Sequence, residues 1–236
     1  LLVTYVNNEL SMNKFHHKGN DIYLMVTRVS PNSRLEPIEA SLFFNFDYKK
    51  YPELENLVSV IKYPEGKIKL TYDNSSYSPE GIVADSSFFQ VFDFDLKIGN
   101  KKTVLFEPDA IIVSEKLAGV IFGRENPIGK VIRFNGNIEK MFVVKGIAAN
   151  VPSNSSLTFD FILPNSADYS TSGANFVVAK AGFDKDAFDK KIEKIGEKHP
   201  QFNLSKTSLM ALKDTYFNDS GIDFHNLFSR QGDWKS

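Results

Sequence analysis

The sequence predicts an α+β fold in which a smaller, mainly β subdomain is inserted into an outer subdomain of split βαβ units. Three observations predict it. Ile22–Val29 sets Ile22, Leu24 and Val26 against Tyr23, Met25 and Thr27, as a core strand does, and Lys67–Tyr72 alternates polar and apolar residues, the period of a strand with one wet face. Residues Glu107 to Phe134, EPDAIIVSEKLAGVIFGRENPIGKVIRF, read as strand, helix, turn and strand in under thirty residues. Lys185–Lys198 is the cleanest amphipathic helix, with Phe188, Ile192 and Ile195 on one face and mixed charges on the other.

Taken in order, Leu1–Phe15 places Leu2, Val3, Val6, Leu10 and Phe15 at a loosely helical period and is expected to form a helical lead-in, 1–17. Adjacent His16 and His17 would point about 100° apart on a helix and do not converge on a metal, so they are read as a polar pair at a boundary. Ile22–Val29 is a first core strand, and Pro31 and Pro37 bracket a loop. Ile38–Val60 is predicted helical in two pieces broken at Pro52, with Leu42, Phe43 and Phe46 on one and Leu54, Leu57 and Val58 on the other. A strand over Val60–Tyr72, interrupted by Pro64-Glu65-Gly66, completes the first βαβ-like unit. Asn74 to Pro79 is expected to be a turn-rich connection.

Gly81–Ala84 is a short strand. After it, Asp85 or Ser86 caps a helix of one or two turns carrying Phe88, Phe89 and Phe92 as core aromatics. Leu96–Asn100 ends a strand in a Gly99-Asn100 turn. In the central segment Asp109–Val113 is a strand, Ser114 is the N-cap of a helix from Glu115 to Phe122, and Gly123 stops it. Ile132 and Phe134 then share one face of the strand Val131–Phe134. Asn135-Gly136-Asn137 fits a type I′ hairpin turn into the strand Met141–Ala148. Beyond the boundary loop at Pro152–Ser156 come strands at Thr158–Leu163 and Asn175–Lys180, separated by a small-residue loop at Ser166–Gly173. A last strand at Leu209–Phe217 and a polar tail at His225–Ser236 follow.

Composition excludes several functions. The absence of cysteine removes thiolate catalysis and Cys-type zinc sites and leaves the redox compartment open. A formal charge of -1, without a polybasic run, argues against a dedicated nucleic-acid binder. Apolar runs fall short of the roughly 20 residues that cross a bilayer, so the chain is expected to be soluble by itself. Its start at Leu1-Leu2-Val3 and polar end at Gly232–Ser236 are expected of a piece of a longer protein. No G-x-S-x-G elbow, G-x-G-x-x-G, Walker A loop or H-E-x-x-H is present, so no catalytic, cofactor-binding or metal-ligating residue is assigned. Asp93 and Asp95 would share a strand face, as a paired acid/base or calcium site would need, but Phe92, Phe94 and Leu96 favour wet carboxylates over a buried aromatic face. Asn74, Asn154, Asn203 and Asn218 match the glycosylation acceptor pattern, a match that arises by chance in an Asn- and Ser-rich chain.

Ser114 to Lys130, SEKLAGVIFGRENPIGK, resembles the recurrent "SE..A...FG...PIGK.I" signature of the periplasmic core domain of MacB/FtsX-type ABC transporter permeases. Two further blocks, ADSSFFQVFDF at Ala84–Phe94 and NVPSNSSLTFDFIL at Asn150–Leu163, agree with it in order. Tyr5–Val29 resembles the "ELSYD.FH...D.IYRV" segment that follows the first membrane helix in Bacteroidetes-type members. The resemblance implies a porter-like subdomain over 18–83 and 157–217, an inserted sabre-like subdomain over 84–156, and a tail over 218–236 leading toward the next membrane helix.

It also implies a non-enzymatic role in an inner-membrane permease, with this domain on the periplasmic side and no cofactor. A cytoplasmic ABC ATPase subunit would drive a homodimer or heterodimer of permeases, and the domain would pass the ATP-driven change to a periplasmic adaptor, a lipoprotein or an exported substrate. Under this reading Leu1 and Ser236 emerge on the same side. The hairpin tip Asn135, Gly136 and Asn137 is the expected partner contact, because exposed tips are free to recognise others. A free-standing extracellular sensor or carbohydrate-binding module is the alternative, which the abundance of Phe and Tyr would serve equally well. Membrane helices flanking this stretch in the full gene would distinguish the two.

Overall fold

The computed structural model describes residues 9–28, 35–38, 47–63, 66–136, 139–165, 173–198 and 206–216. Its strands are β1 (Ile22–Arg28), β2 (Leu35–Pro37), β3 (Leu54–Tyr63), β4 (Lys69–Tyr72), β5 (Ser75–Tyr77), β6 (Gly81–Ala84) and β7 (Leu96–Ile98). They continue with β8 (Ala110–Ser114), β9 (Val131–Asn135), β10 (Glu139–Ala148), β11 (Phe161–Pro164), β12 (Ala174–Ala179) and β13 (Lys206–Ala211). The helices are α1 (Phe88–Val91), α2 (Glu115–Phe122) and α3 (Lys185–Lys198). Expectations for the start of the lead-in, the helical piece with Leu42, Phe43 and Phe46, Asn137, the loop at 166–172 and the C-terminal tail lie outside the described residues. Among the described residues no helix is long and apolar enough to cross a membrane.

Packing divides the chain into two compact units. The first comprises Leu1–Ser59, Asn154–Ser156 and Thr171–Ser236. Its strands run in the order β13-β1-β12-β3, with β2 beside β1, and the β1 pairings are antiparallel. Pro37, expected in a loop, sits in β2 opposite Val26, an edge position where its missing N–H costs nothing. Phe188 and Ile192 of α3 pack on Met25, Val177, Leu209, Leu54 and Ile38. Asp184 caps α3 by accepting from Ala187 N at 3.0 Å, and Asp189 Oδ1 accepts from Leu209 N at 2.8 Å, sewing the helix to β13.

The second unit comprises Val60–Ser153 and Leu157–Ser170. Its order is β3-β6-β11-β8-β10-β9-β4-β5, with β7 beside β10. The pairs β6–β11 and β8–β10 are parallel and the other pairings antiparallel, so the sheet is mixed. One face packs Leu117, Ile121 and Phe122 of α2 with Phe134, Phe142, Val144 and Phe161. Phe88, Phe92, Phe94 and Phe159 form a separate aromatic group; Phe88 and Phe94 stack with centroids 5.6 Å apart, and Phe159 meets Phe94 edge-on at 5.0 Å. The helix α2 follows the local signals closely: Ser114 Oγ accepts from Leu117 N at 3.1 Å, and Gly123 closes the helix at φ 62°.

The α+β class therefore stands, but several elements differ from expectation. The predicted helix over Leu54, Leu57 and Val58 is part of β3, whose β-branched Val58, Val60 and Ile61 are buried between neighbouring strands. The strand expected over Val60–Tyr72 is two: β3 ends at Tyr63 and β4 starts at Lys69. The connection after Asn74 contains β5, and the type I′ turn lies there, with Asp73 and Asn74 at φ 44° and 58° between the paired Tyr72 and Ser75. At the other hairpin Asn135 pairs with Glu139, so three residues intervene rather than two, and Gly136 does not take positive φ. Among the described lead-in residues only Glu9 and Leu10 are helical, and turns continue to Asp21. The strand expected from Thr158 begins at Phe161, and the one expected over Leu209–Phe217 ends at Ala211, followed by a 3-10 turn, Leu212–Asp214. The packing border within β3 falls at Ser59/Val60, because β6 pairs with Val60–Tyr63 and, on its other side, with β11.

Candidate functional site

In the first unit the earliest and latest described segments of the chain meet. Glu9 and Leu10 are helical, and the chain then turns at Asn13, which takes φ 59°, a conformation that Asn tolerates better than other side-chain-bearing residues. That turn presents both ends of the Asn13 amide inward, with the residue only 4% exposed. Its Oδ1 accepts from the backbone N and the Oγ of Ser156, each at 3.0 Å, and its Nδ2 donates to Leu212 O at 3.4 Å. The Asn13 backbone N donates to Asn154 O at 2.7 Å, and Asn154 Nδ2 returns a bond to Ser11 O at 3.1 Å. Tyr216 OH donates to Glu9 Oε2 at 2.6 Å. Lead-in, the Asn154–Ser156 strap and the chain after β13 are thus joined around one buried amide. Beside it, His16 is buried and rests on Phe15 with ring centroids 3.9 Å apart, while His17 is exposed, so the two histidines diverge.

A buried ionic group lies in the second unit. The Lys62 side chain is 3% exposed, and its Nζ donates to Glu80 Oε2 at 3.0 Å, to Thr158 Oγ1 at 3.1 Å and to Thr158 O. Burial holds the ammonium below the usual lysine range, opposed by the Glu80 carboxylate. Nearby Asp160 is pushed above the usual carboxylate range by burial, against the pull of Lys116, 3.8 Å away. All three protons of the Lys62 ammonium are engaged by protein acceptors, so it has none left for a substrate. Perturbed ionisable groups mark many active sites, but this one is a structural brace between the ends of β3, β6 and β11.

The expected partner contact lies at the β9–β10 hairpin. Asn135 and Gly136 are exposed, and Asn137 lies outside the described residues. A Cβ on Gly136 would come within 2.6 Å of the buried Phe134 ring, so glycine here serves the core as well as the turn. Next to the hairpin, Thr71, Arg133 and Met141 stand in register across β4, β9 and β10 on the outward face. They line, with Tyr72, Asp73, Asn74 and Val131, an open depression of about 420 Å³. Asp93 and Asp95 are exposed beside buried Phe92 and Phe94, and Asp95 faces Lys97 and Lys101, each at 3.6 Å, in place of a carboxylate partner. Sequence reasoning missed the Asn13 junction and the Lys62 brace. In each, one partner lies far along the chain: Ser156 is 143 residues from Asn13, and Thr158 is 96 from Lys62.

A family model described as the MacB-like periplasmic core domain matches residues 1–195. Among solved structures, the fold is similar to a domain of what is described as a permease protein from Porphyromonas gingivalis, at 20% identity, covering 83% of this chain and 92% of that one, with a TM-score of 0.64. It is also similar to the periplasmic region of MacB from Actinobacillus actinomycetemcomitans, at 16% identity, 82% and 90% coverage and a TM-score of 0.59. The extracellular domain of the noncanonic ABC-type transporter YknZ from Gram-positive bacteria follows, at 14% identity, 80% and 99% coverage and a TM-score of 0.58. Among curated proteins none matches.

Proposed function

The chain belongs to the family of MacB-like periplasmic core domains and is the extracytoplasmic domain of a MacB/FtsX-type ABC transporter permease, not an enzyme; from that premise we propose that its work is mechanical. An ABC ATPase on the cytoplasmic side closes on ATP, membrane helices carry the displacement across, and this domain changes pose against a periplasmic adaptor, lipoprotein or exported substrate. The permease acts as a homodimer or heterodimer in the inner membrane, with this domain on the periplasmic side. Its outer part is porter-like and its inserted part sabre-like.

The observation that carries the proposal is the junction of Glu9 with Tyr216 and of Asn13 with Leu212. A domain moved by two membrane tethers needs its incoming and outgoing chain fastened to one another, since a compact packed body passes on a hinge movement that a loose one absorbs. The hairpin tip at Asn135–Asn137 and the neighbouring outward row Thr71, Arg133 and Met141 are the proposed partner-facing surface. The sensor or carbohydrate-module alternative loses support from the burial of Phe88, Phe92 and Phe94, aromatics that a stacking ligand would need exposed.

This stretch holds no cysteine, so a single label can be placed in it once any cysteine elsewhere in the permease and its ATPase has been replaced. In the full-length permease, reconstituted with its ATPase in vesicles, a dye on Val120→Cys, a position 58% exposed, reports energy transfer to acceptor-labelled lipid headgroups. Transfer that changes on ATP binding supports transmission, and transfer that stays constant through the ATP cycle refutes it.

A further inference from the structure

The strap Asn154–Ser156 belongs to the first unit, while the residues on either side, Ser153 and Leu157, belong to the second. Ser155 and Ser156 are fully buried. The strap is tied to the lead-in by three hydrogen bonds that converge on Asn13: Asn13 N to Asn154 O, and Ser156 N and Oγ to Asn13 Oδ1. The remaining end of the same amide reaches Leu212 O, which also accepts from Thr215 Oγ1 at 2.7 Å. The amide orientation is fixed by its partners, because a reversed Asn13 would aim its own donor at the Ser156 N–H.

Residue chemistry at position 13 is correspondingly narrow. The backbone φ of 59° suits Gly, Asn and Asp. Glycine lacks both side-chain partners, and aspartate supplies the acceptor without the donor. Asparagine alone of the three meets the strap with an oxygen and the end of β13 with an N–H.

We infer that Asn13 is a latch, a positioning residue through which the lead-in, the strap and the chain after β13 move as one. Displacement arriving at the tethers passes through the Asn13 amide into Asn154–Ser156, and from there along the covalent chain to Ser153 and Leu157. This inference rests on the transmission reading, and it adds the residue that does the coupling.

Hydrogen exchange on the whole chain, resolved at the Ser156 amide, tests the latch. Asn13→Gly keeps the backbone conformation and removes both side-chain arms, and the Ser156 amide is then expected to exchange about tenfold faster. Asn13→Asp retains the acceptor and is expected to leave Ser156 within about threefold of wild type while protection at Leu212–Tyr216 falls. Ser156 protection unchanged in Asn13→Gly overturns the latch. Should Asn13→Gly fail to fold, Ser156→Ala takes its place: loss of one of the two donors to Oδ1 must speed exchange at the residue 156 amide by about threefold, and no change overturns the latch equally.

The second readout is the ATP-driven transfer change from the Val120→Cys dye in the full-length permease. Combined with Asn13→Gly, the change is expected to fall to less than about half, since both side-chain arms of the latch are gone. An undiminished change, with Ser156 exchange accelerated, overturns Asn13 as the coupler. A permease with wild-type Asn13 that gives no change at all is the distinct failure of the transmission reading.

Discussion

The phenol of Tyr216 donates to the carboxylate of Glu9 at 2.6 Å, joining residues 207 positions apart in the chain. Tyr216 is 6% exposed, so water replaces the lost partner poorly. Tyr216→Phe is therefore expected to cost about 1–2 kcal/mol in urea unfolding and to raise exchange at the lead-in amides 9–16. A variant of wild-type stability with an unchanged exchange pattern would show that the two segments are held by other contacts.

Lys62→Met leaves Glu80 Oε2 and the two Thr158 oxygens without their common donor inside the second unit. The expected loss is about 3 kcal/mol, and pairing it with Glu80→Gln should recover part of it, since removing the counter-charge leaves no unpaired buried charge, only the Thr158 oxygens. Denaturant midpoints of the two single variants and the double variant form the cycle that checks this. Additive losses would contradict the brace.

Asp160 sets a pH dependence whose sign follows from burial. Its folded pKa is raised above the unfolded value of 3.8, so its contribution is fully present below 3.8 and is lost as pH rises through the raised folded value. Asp160→Asn does not titrate and escapes that loss. Its stability relative to wild type should grow as pH climbs from about 3.8 through the raised folded value and then level off, read by urea unfolding at several pH values. A difference flat in pH would remove burial as the cause of the shift.

Gly81 faces Phe161 across the parallel β6–β11 pair, and a Cβ there would lie 2.1 Å from the ring Cζ. Because the Phe161 ring is fully buried it has nowhere to move, so Gly81→Ala is expected to lose about 3 kcal/mol. Gly81→Ala with Phe161→Leu should be more stable than Gly81→Ala alone, an order that thermal unfolding of the pair decides.

Ser114→Ala removes the acceptor for Leu117 N at the start of α2 and is expected to lower stability by about 1 kcal/mol. Ser114→Asp should restore less than Ser114→Thr, because position 114 is 2% exposed and a carboxylate there would be desolvated. Equal stability of the alanine and wild-type proteins would mean that another group satisfies the Leu117 amide.

What could be read from the sequence follows how far each signal reaches along the chain. Ser114, Gly123 and the Leu117, Ile121 and Phe122 face are local, so α2 and its caps were predictable to the residue. So was α3, where Phe188 and Ile192 turn inward as their spacing requires. Leu54, Leu57, Val58 and Ile61 also have helical spacing, yet they form β3, because neighbouring strands bond both its sides and tertiary pairing outweighs local period. The Asn13 junction left no trace in any window, since Asn13 and Ser156 are 143 residues apart and nothing in a Ser/Asn-rich loop distinguishes a buried partner from a wet one. Lys62 was equally silent: beside Tyr63 and Pro64 it reads as a solvated charge, and only the arrival of Thr158, 96 residues on, makes it a core residue.

The closeness of Gly136 to the ring of Phe134 limits which sequences this hairpin can carry. Swapping tip sequences would have to spare that glycine, because any bulkier replacement lifts a plug from the interior as it edits the exterior. Epitope grafts that begin after Gly136 should therefore be tolerated, whereas grafts that overwrite it should yield poorly expressed protein before binding is ever assayed.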